Sequence, residues 1–220
     1  MKQIIFTLFL FLTINFFGQK IIEYKIDDNL RIQIPENYEI KDTLEQKVVK
    51  AFVDNGLILI ITSSNIGKTA ATIKNEKDLL KFYKGFRAGH IKSLNGKLIN
   101  EEFVNKDGLK LYSFSYIATM GEEVQLRNCL VLFLQDNTYI LQFWQPESMK
   151  NEMKIVNENF FSSLKISKGF TLENQLSFSN EEQTLDSYSL GYTIGKIFGK
   201  LLVLGIVIGL IILIAKKINK

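Results

Sequence analysis

The sequence predicts an α+β domain, an antiparallel sheet with helices packed on it, followed by one C-terminal transmembrane helix. Three features point there. Apolar residues alternate with polar ones over short runs from Ile21 to Thr62 and from Lys97 to Gln145, with turn dipeptides between them. Two other stretches repeat apolar residues at three and four residue spacing. The run Leu201 to Ala215, LLVLGIVIGLIILIA, contains no polar residue.

At the N-terminus, Lys2 precedes Ile4 to Phe17, a run with the length of a secretory h-region but interrupted by Thr7, Thr13 and Asn15. Residues 1–19 are therefore expected to be a signal peptide, with Gly18 the one small residue of the cleavage zone. Left uncut, the segment would become a first anchor and the middle of the chain would still lie outside. The absence of a cysteine here excludes a bacterial lipid anchor.

Residues 20–167 read as the exported domain. Ile22, Tyr24 and Ile26 alternate, Asp27-Asp28-Asn29 turns, and Leu30, Ile32 and Ile34 form the return strand before Pro35. A strand from Gln46 to Asp54 should meet Leu57 to Thr62 across Asn55-Gly56, a dipeptide that tolerates the positive φ of a tight hairpin. The run LILIIT is apolar on both faces and should be central. Asn75 can cap a helix whose stripe is Leu79, Leu80, Phe82, Tyr83, Phe86, His90, Ile91 and Leu94. Four strands follow at hairpin spacing, turning at Lys106-Asp107-Gly108, at Thr119-Met120-Gly121 and at Asp136-Asn137, as an antiparallel meander does. Met149, Met153, Val156, Phe160 and Leu164 then predict one amphipathic closing helix over 147–164.

From Gly169 to Leu190 there is no lysine or arginine, while Glu173, Glu181, Glu182 and Asp186 accompany many serines and threonines, so residues 168–193 are expected to form a flexible acidic stalk. Residues 194–217 are expected to span the membrane, leaving 218–220 as a cytoplasmic tail. At about 1.5 Å per residue, Leu201 to Ala215 covers roughly 22 Å of a hydrocarbon core near 30 Å. Ile197, Phe198 and Gly199 are thus expected to be drawn in, with Lys200 snorkelling. Lys216, Lys217 and Lys220 mark the trailing end as cytoplasmic. Gly205 and Gly209 form a small-residue face for helix association within the lipid, and Gly191, Gly195 and Gly199 form a second four-spaced set.

Few chemistries are compatible with these residues. Net charge is +4 and lysines are dispersed, which does not describe a nucleic-acid surface. Cys129 is the only cysteine and reads as a buried hydrophobe. His90 is the only histidine and lies on an apolar stripe, so it reads as structural, and His-rich zinc sites cannot be assembled. Gly67-Lys68-Thr69 lacks the upstream glycine of a phosphate loop, which is replaced by Thr62. Glu101-Glu102 and Glu122-Glu123 are neighbours in or beside strands and point to opposite faces. No catalytic, cofactor-binding or metal-binding residue is assigned. The lysine-rich, asparagine-rich habit and the absence of an Asn-x-Ser/Thr site favour a bacterial chain.

The order of elements and the stretch Ile32-Gln33-Ile34-Pro35-Glu36-Asn37-Tyr38 resemble the PsbP-like domains over residues 20 to 167. That resemblance implies a non-catalytic binding or assembly domain, carries over no functional residue, and does not include the C-terminal anchor. The expected protein is a single-pass component of the bacterial inner membrane with its bulk outside. Its expected partners are membrane lipid, another envelope protein and a second copy of its own transmembrane helix. The alternative is an envelope enzyme using carboxylate or Ser/Lys chemistry without histidine.

Overall fold

The computed structural model of the chain describes residues 19–42, 46–64, 73–177 and 186–200. Residues 1–18 of the expected signal peptide, Gly67-Lys68-Thr69, Gly205, Gly209, Lys216, Lys217 and Lys220 lie outside the described residues. Among the described residues no helix is long and apolar enough to cross a membrane, and the run Leu201 to Ala215 is not among them.

Among the described residues ten strands are arranged in two antiparallel sheets. The small sheet holds β1 (Ile21–Lys25), β2 (Leu30–Pro35) and β10 (Lys165–Ile166), with β2 in the middle. The large sheet contains β3 (Tyr38–Asp42), β4 (Gln46–Val53), β5 (Gly56–Ser64), β6 (Lys97–Lys106), β7 (Leu109–Met120), β8 (Glu123–Leu134) and β9 (Asn137–Pro146). Its order is β3-β4-β5-β9-β8-β7-β6. The meander is as the turn spacing predicts, and β5 is central because its apolar residues serve both faces. Ile58 and Ile60 enter one core while Leu59 and Ile61 enter the other.

Two cores flank the large sheet. On one face, Leu30, Ile32 and Ile34 of the small sheet and Met153, Phe160 and Leu164 cover Ile58, Leu141 and Phe143. On the other, helix α1 (Glu76–Ser93) lays Leu79, Phe82, Tyr83, Phe86 and Ile91 on Phe114, Tyr116, Val131 and Ile140. Asn75 caps α1 as expected, its Oδ1 accepting from the Asp78 N–H at 3.0 Å.

Several expectations are corrected. A single sheet was expected, but the first hairpin leaves it to form the small sheet. Strand β3 was not expected, because only Tyr38 of its five residues is even partly buried and its edge position needs no apolar face. The closing helix is shorter: a 3-10 turn at Glu147–Met149 and a non-helical turn precede helix α2 (Lys154–Ser162). The β4–β5 turn centres on Asp54-Asn55, since Val53 pairs with Gly56. A Cβ on Gly56 would stand 2.7 Å from Phe143 Cζ, so this glycine makes room in the core and Asp54, at φ 47°, takes the left-handed position. The last meander turn likewise centres on Gln135-Asp136, both at positive φ.

Candidate functional site

Residues 187–200 form a helix, α3, that lies against α1. Asp186 starts it, Oδ1 accepting the Tyr188 and Ser189 N–H groups at 2.8 and 3.0 Å. The contact between α1 and α3 is made by glycine. Built Cβ atoms on Gly85 and Gly89 would lie 2.0 Å from the Tyr188 and Tyr192 carbonyl oxygens, and those on Gly191 and Gly195 would lie 2.0 Å from the Phe82 and Phe86 oxygens. Gly199 continues the seam against Ser93, whose Oγ would lie 1.6 Å from its Cβ. Contacts advance in the same direction on both helices, so the two run parallel, as small-residue helix pairs in membranes commonly do. Backbone comes close enough for Cα–H groups to meet carbonyl oxygens, and any side chain at these positions forces the helices apart.

Gly191, Gly195 and Gly199 were read as a face for a partner helix. Their partner is α1 of the same chain. Leu190 and Phe198 flank the seam and enter the core, with the Phe198 and Phe86 rings 6.0 Å apart. Phe198 and Gly199, expected to be drawn into the membrane, are instead held by the domain. The four-residue spacing of Gly85 and Gly89 on a helix was visible in the sequence and is the signal that would have paired them with the later triplet.

At the C-terminal end of this seam, a row of polar and aromatic side chains crosses the sheet. His90 is fully buried, its Nε2 3.0 Å from Tyr116 Oη. Arg127, 2% exposed, stacks its guanidinium 3.7 Å from the Trp144 ring centroid and donates from Nε and Nη2 to Gln125 Oε1 at 3.3 and 2.9 Å. Trp144 Nε1 donates to Gln142 Oε1 at 2.7 Å. Arg127 Nη1, Gln142 Nε2 and His90 Nδ1 are buried without a hydrogen-bond partner among the described residues. Burial, then the positive charge of Arg127, pulls the His90 pKa down to about 3, opposed by the nearby Gly195 backbone. The imidazole is thus a neutral core group, as its place on the stripe implied. Burial pushes the Cys129 thiol far above its ordinary range, so it carries no thiolate.

A second device ties down residues expected to be stalk. Gln175 is fully buried. Its Nε2 donates to the carbonyls of Lys110 and Phe133 at 2.8 and 2.9 Å and to Tyr83 Oη at 3.2 Å, and its Oε1 accepts from the Lys110 N–H at 2.7 Å. Ser177 then bridges Ile73. The composition of this segment is that of a linker, but one amide side chain with four partners fixes it to the sheet.

The carboxylate pairs behave as their spacing predicts. Glu101 faces Arg87, 3.0 Å from its Nε, and also accepts from the Tyr112 hydroxyl, while Glu102 turns to the other face beside Ser113. Glu123 accepts from Gln125 Nε2 at 3.2 Å. Among the described residues no three His, Cys, Asp or Glu side chains gather as a metal site.

No protein-family model matches the chain, and no curated protein is similar to it in sequence. Among solved structures, the chain is similar to PsbP from the cyanobacterium Synechocystis, with a TM-score of 0.49 and 16% identity over 68% of this chain and 94% of that one. It is also similar to the Ran-binding protein Mog1p of Saccharomyces cerevisiae, at TM-score 0.42 and 9% identity over 68% and 97% of the two chains. A third similar structure is LpqN, involved in cell envelope biogenesis of Mycobacterium tuberculosis, at TM-score 0.39 and 8% identity over 67% and 91%. The likeness is one of chain path.

Proposed function

We propose that this chain is a membrane-anchored, extracytoplasmic binding or assembly module that carries out no chemistry of its own and holds another envelope protein beside the bilayer. The observation that supports this most is the glycine seam. It packs on the body of the domain the helix that immediately precedes, in sequence, the apolar stretch Leu201 to Ala215, where a soluble enzyme has no use for it. The reactive residue types of the described core are also committed to structure: His90 is neutral, Cys129 is a buried thiol and Glu101 serves Arg87 and Tyr112. The surface offered to a partner is the sheet edge at β6, where Ile99 and Phe103 are exposed on a long strand.

Two fractions test this reading. Membranes washed with alkaline carbonate should retain the full chain and release a version ending at Lys200. A pull-down from the same membranes in mild detergent should recover an envelope protein that is lost when Ile99 and Phe103 are both changed to lysine. Full-length protein in the carbonate wash contradicts the anchor, and a partner retained by the lysine variant contradicts the β6 surface.

A further inference from the structure

One end of the domain gathers the features of a membrane-contacting surface. Trp144 pairs with Leu57 and with Arg127, and Arg127 pairs with Tyr116, so these four mark one row across the large sheet. Beyond that row lie the β4–β5 turn at Asp54-Asn55 and the β7–β8 turn at Gly121-Glu122. The end of α1 is here too, since Gly96 touches Tyr116 and the Ile117 carbonyl. Because α3 runs parallel to α1, Gly199 and Lys200 reach the same end. Gln19, the first described residue, is here as well, because its side chain donates to the Phe52 carbonyl at 2.7 Å and Phe52 pairs with Leu57 of the row.

Charge matches that geometry. Lys92, Lys97, Lys196 and Lys200 are all exposed at this end, and none forms an ion pair among the described residues. Lys92 also suits the negative end of the α1 dipole, whereas Lys97, Lys196 and Lys200 have no such local reason. The acidic residues of this end lie on the turns, Asp54 between β4 and β5, Glu122 and Glu123 at the β7–β8 turn, and Glu147 after β9, while the four lysines lie on α1, on α3 and at the start of β6. The length of the apolar run tightens the arrangement. Phe198 and Gly199 pack on α1, so on the anchored reading the fifteen residues from Leu201 to Ala215 would, as a helix, supply roughly 22 Å, lysines would snorkel from both ends and no spacer would separate domain from lipid.

We propose that the domain stands directly on an anionic phospholipid surface, oriented by the locked α1–α3 pair, with Lys92, Lys97, Lys196 and Lys200 against the headgroup phosphates. This rests on the membrane-anchored reading above. The partner-binding edge β6 is thereby held at a fixed height and angle instead of swinging on a stalk.

The test uses full-length protein in nanodiscs containing an anionic lipid and a nickel-chelating lipid, with a nitroxide on Glu122→Cys or on Asp136→Cys. These turns sit at opposite ends of the 12-residue strand β8, roughly 36 Å apart. The expected result is nickel relaxation several-fold greater at position 122 than at 136, a ratio that falls when the anionic lipid is replaced by phosphatidylcholine. It should also fall in a Lys92→Glu, Lys97→Glu, Lys196→Glu variant. Equal relaxation at the two positions overturns the oriented docking while leaving the anchor intact. A ratio indifferent to lipid charge in wild-type protein overturns the lysine–phosphate contact without relying on any variant. Failure of the protein to remain in the nanodisc overturns both this proposal and the anchor.

Discussion

Gly195 stands directly over the Phe86 carbonyl, so close that a Cβ on it would lie 2.0 Å from that oxygen. Gly85 and Gly89 stand in the same relation to the Tyr188 and Tyr192 oxygens. The reciprocity means that neither helix can shift to accommodate a side chain on the other without losing the remaining contacts. The domain therefore includes the described helix α3 through Gly199.

Gly195→Val and Gly89→Val are accordingly expected to separate α3 from α1. Overpacked cores lose about 1–3 kcal/mol, and here part of that loss is avoided by local detachment. Limited proteolysis should cut within 186–200 in both variants while β5, β8 and β9 stay protected. A cleavage pattern identical to wild type would contradict the seam.

Acid should weaken the domain through His90. Its pKa is about 3 in the fold against an ordinary 6.5, so between those values the unfolded chain binds a proton that the native chain does not. Stability is complete above about pH 7 and falls as pH drops through the window, by about 1.4 kcal/mol per unit, or about 2 kcal/mol by pH 5. His90→Gln, which keeps a polar partner for Tyr116, should lose less between pH 7 and pH 5 in urea melts. Equal losses in the two proteins would show that His90 is not buried as a neutral ring.

The Gln175 amide makes a sharper prediction than its surroundings suggest. Gln175→Ala strands the Lys110 N–H and the Phe133 carbonyl in the interior, and each such orphan costs about 1–3 kcal/mol. Chemical denaturation should show a loss of at least about 2 kcal/mol. A loss under about 0.5 kcal/mol, the level of an ordinary surface change, would return residues 172–177 to the status of linker.

Cys129 should be silent to thiol reagents in the native protein and react fully in denaturant, because its thiol is buried beneath α1 and far from ionising. Labelling of native protein at a rate near that of free cysteine would contradict the placement of β8 under α1.

Alternation and turn chemistry were enough to read the meander, the central place of LILIIT and the capped helix α1, because each depends on neighbours within a few residues. The exceptions depend on partners far away in sequence. Gly56 looked like a turn residue and is a packing residue, owing to Phe143 and Met153. Gln175 sat in an acidic, serine-rich stretch and is the most bonded side chain there, through Tyr83, Lys110 and Phe133. Strand β3 is an edge with no buried face, so it leaves no apolar pattern to read. The seam was half legible: the triplet Gly191, Gly195 and Gly199 was seen, but its mates Gly85 and Gly89 were hidden inside a helix already explained by its apolar stripe.

The most direct measurement is amide hydrogen exchange on the full-length protein in nanodiscs, followed for residues 189–199. A tail helix locked to the domain predicts that these amides exchange as slowly as those of α1 and that Gly195→Val releases them selectively. Exchange of 189–199 at the rate of an unstructured peptide, with α1 still protected, would contradict the locked helix and restore a flexible tether.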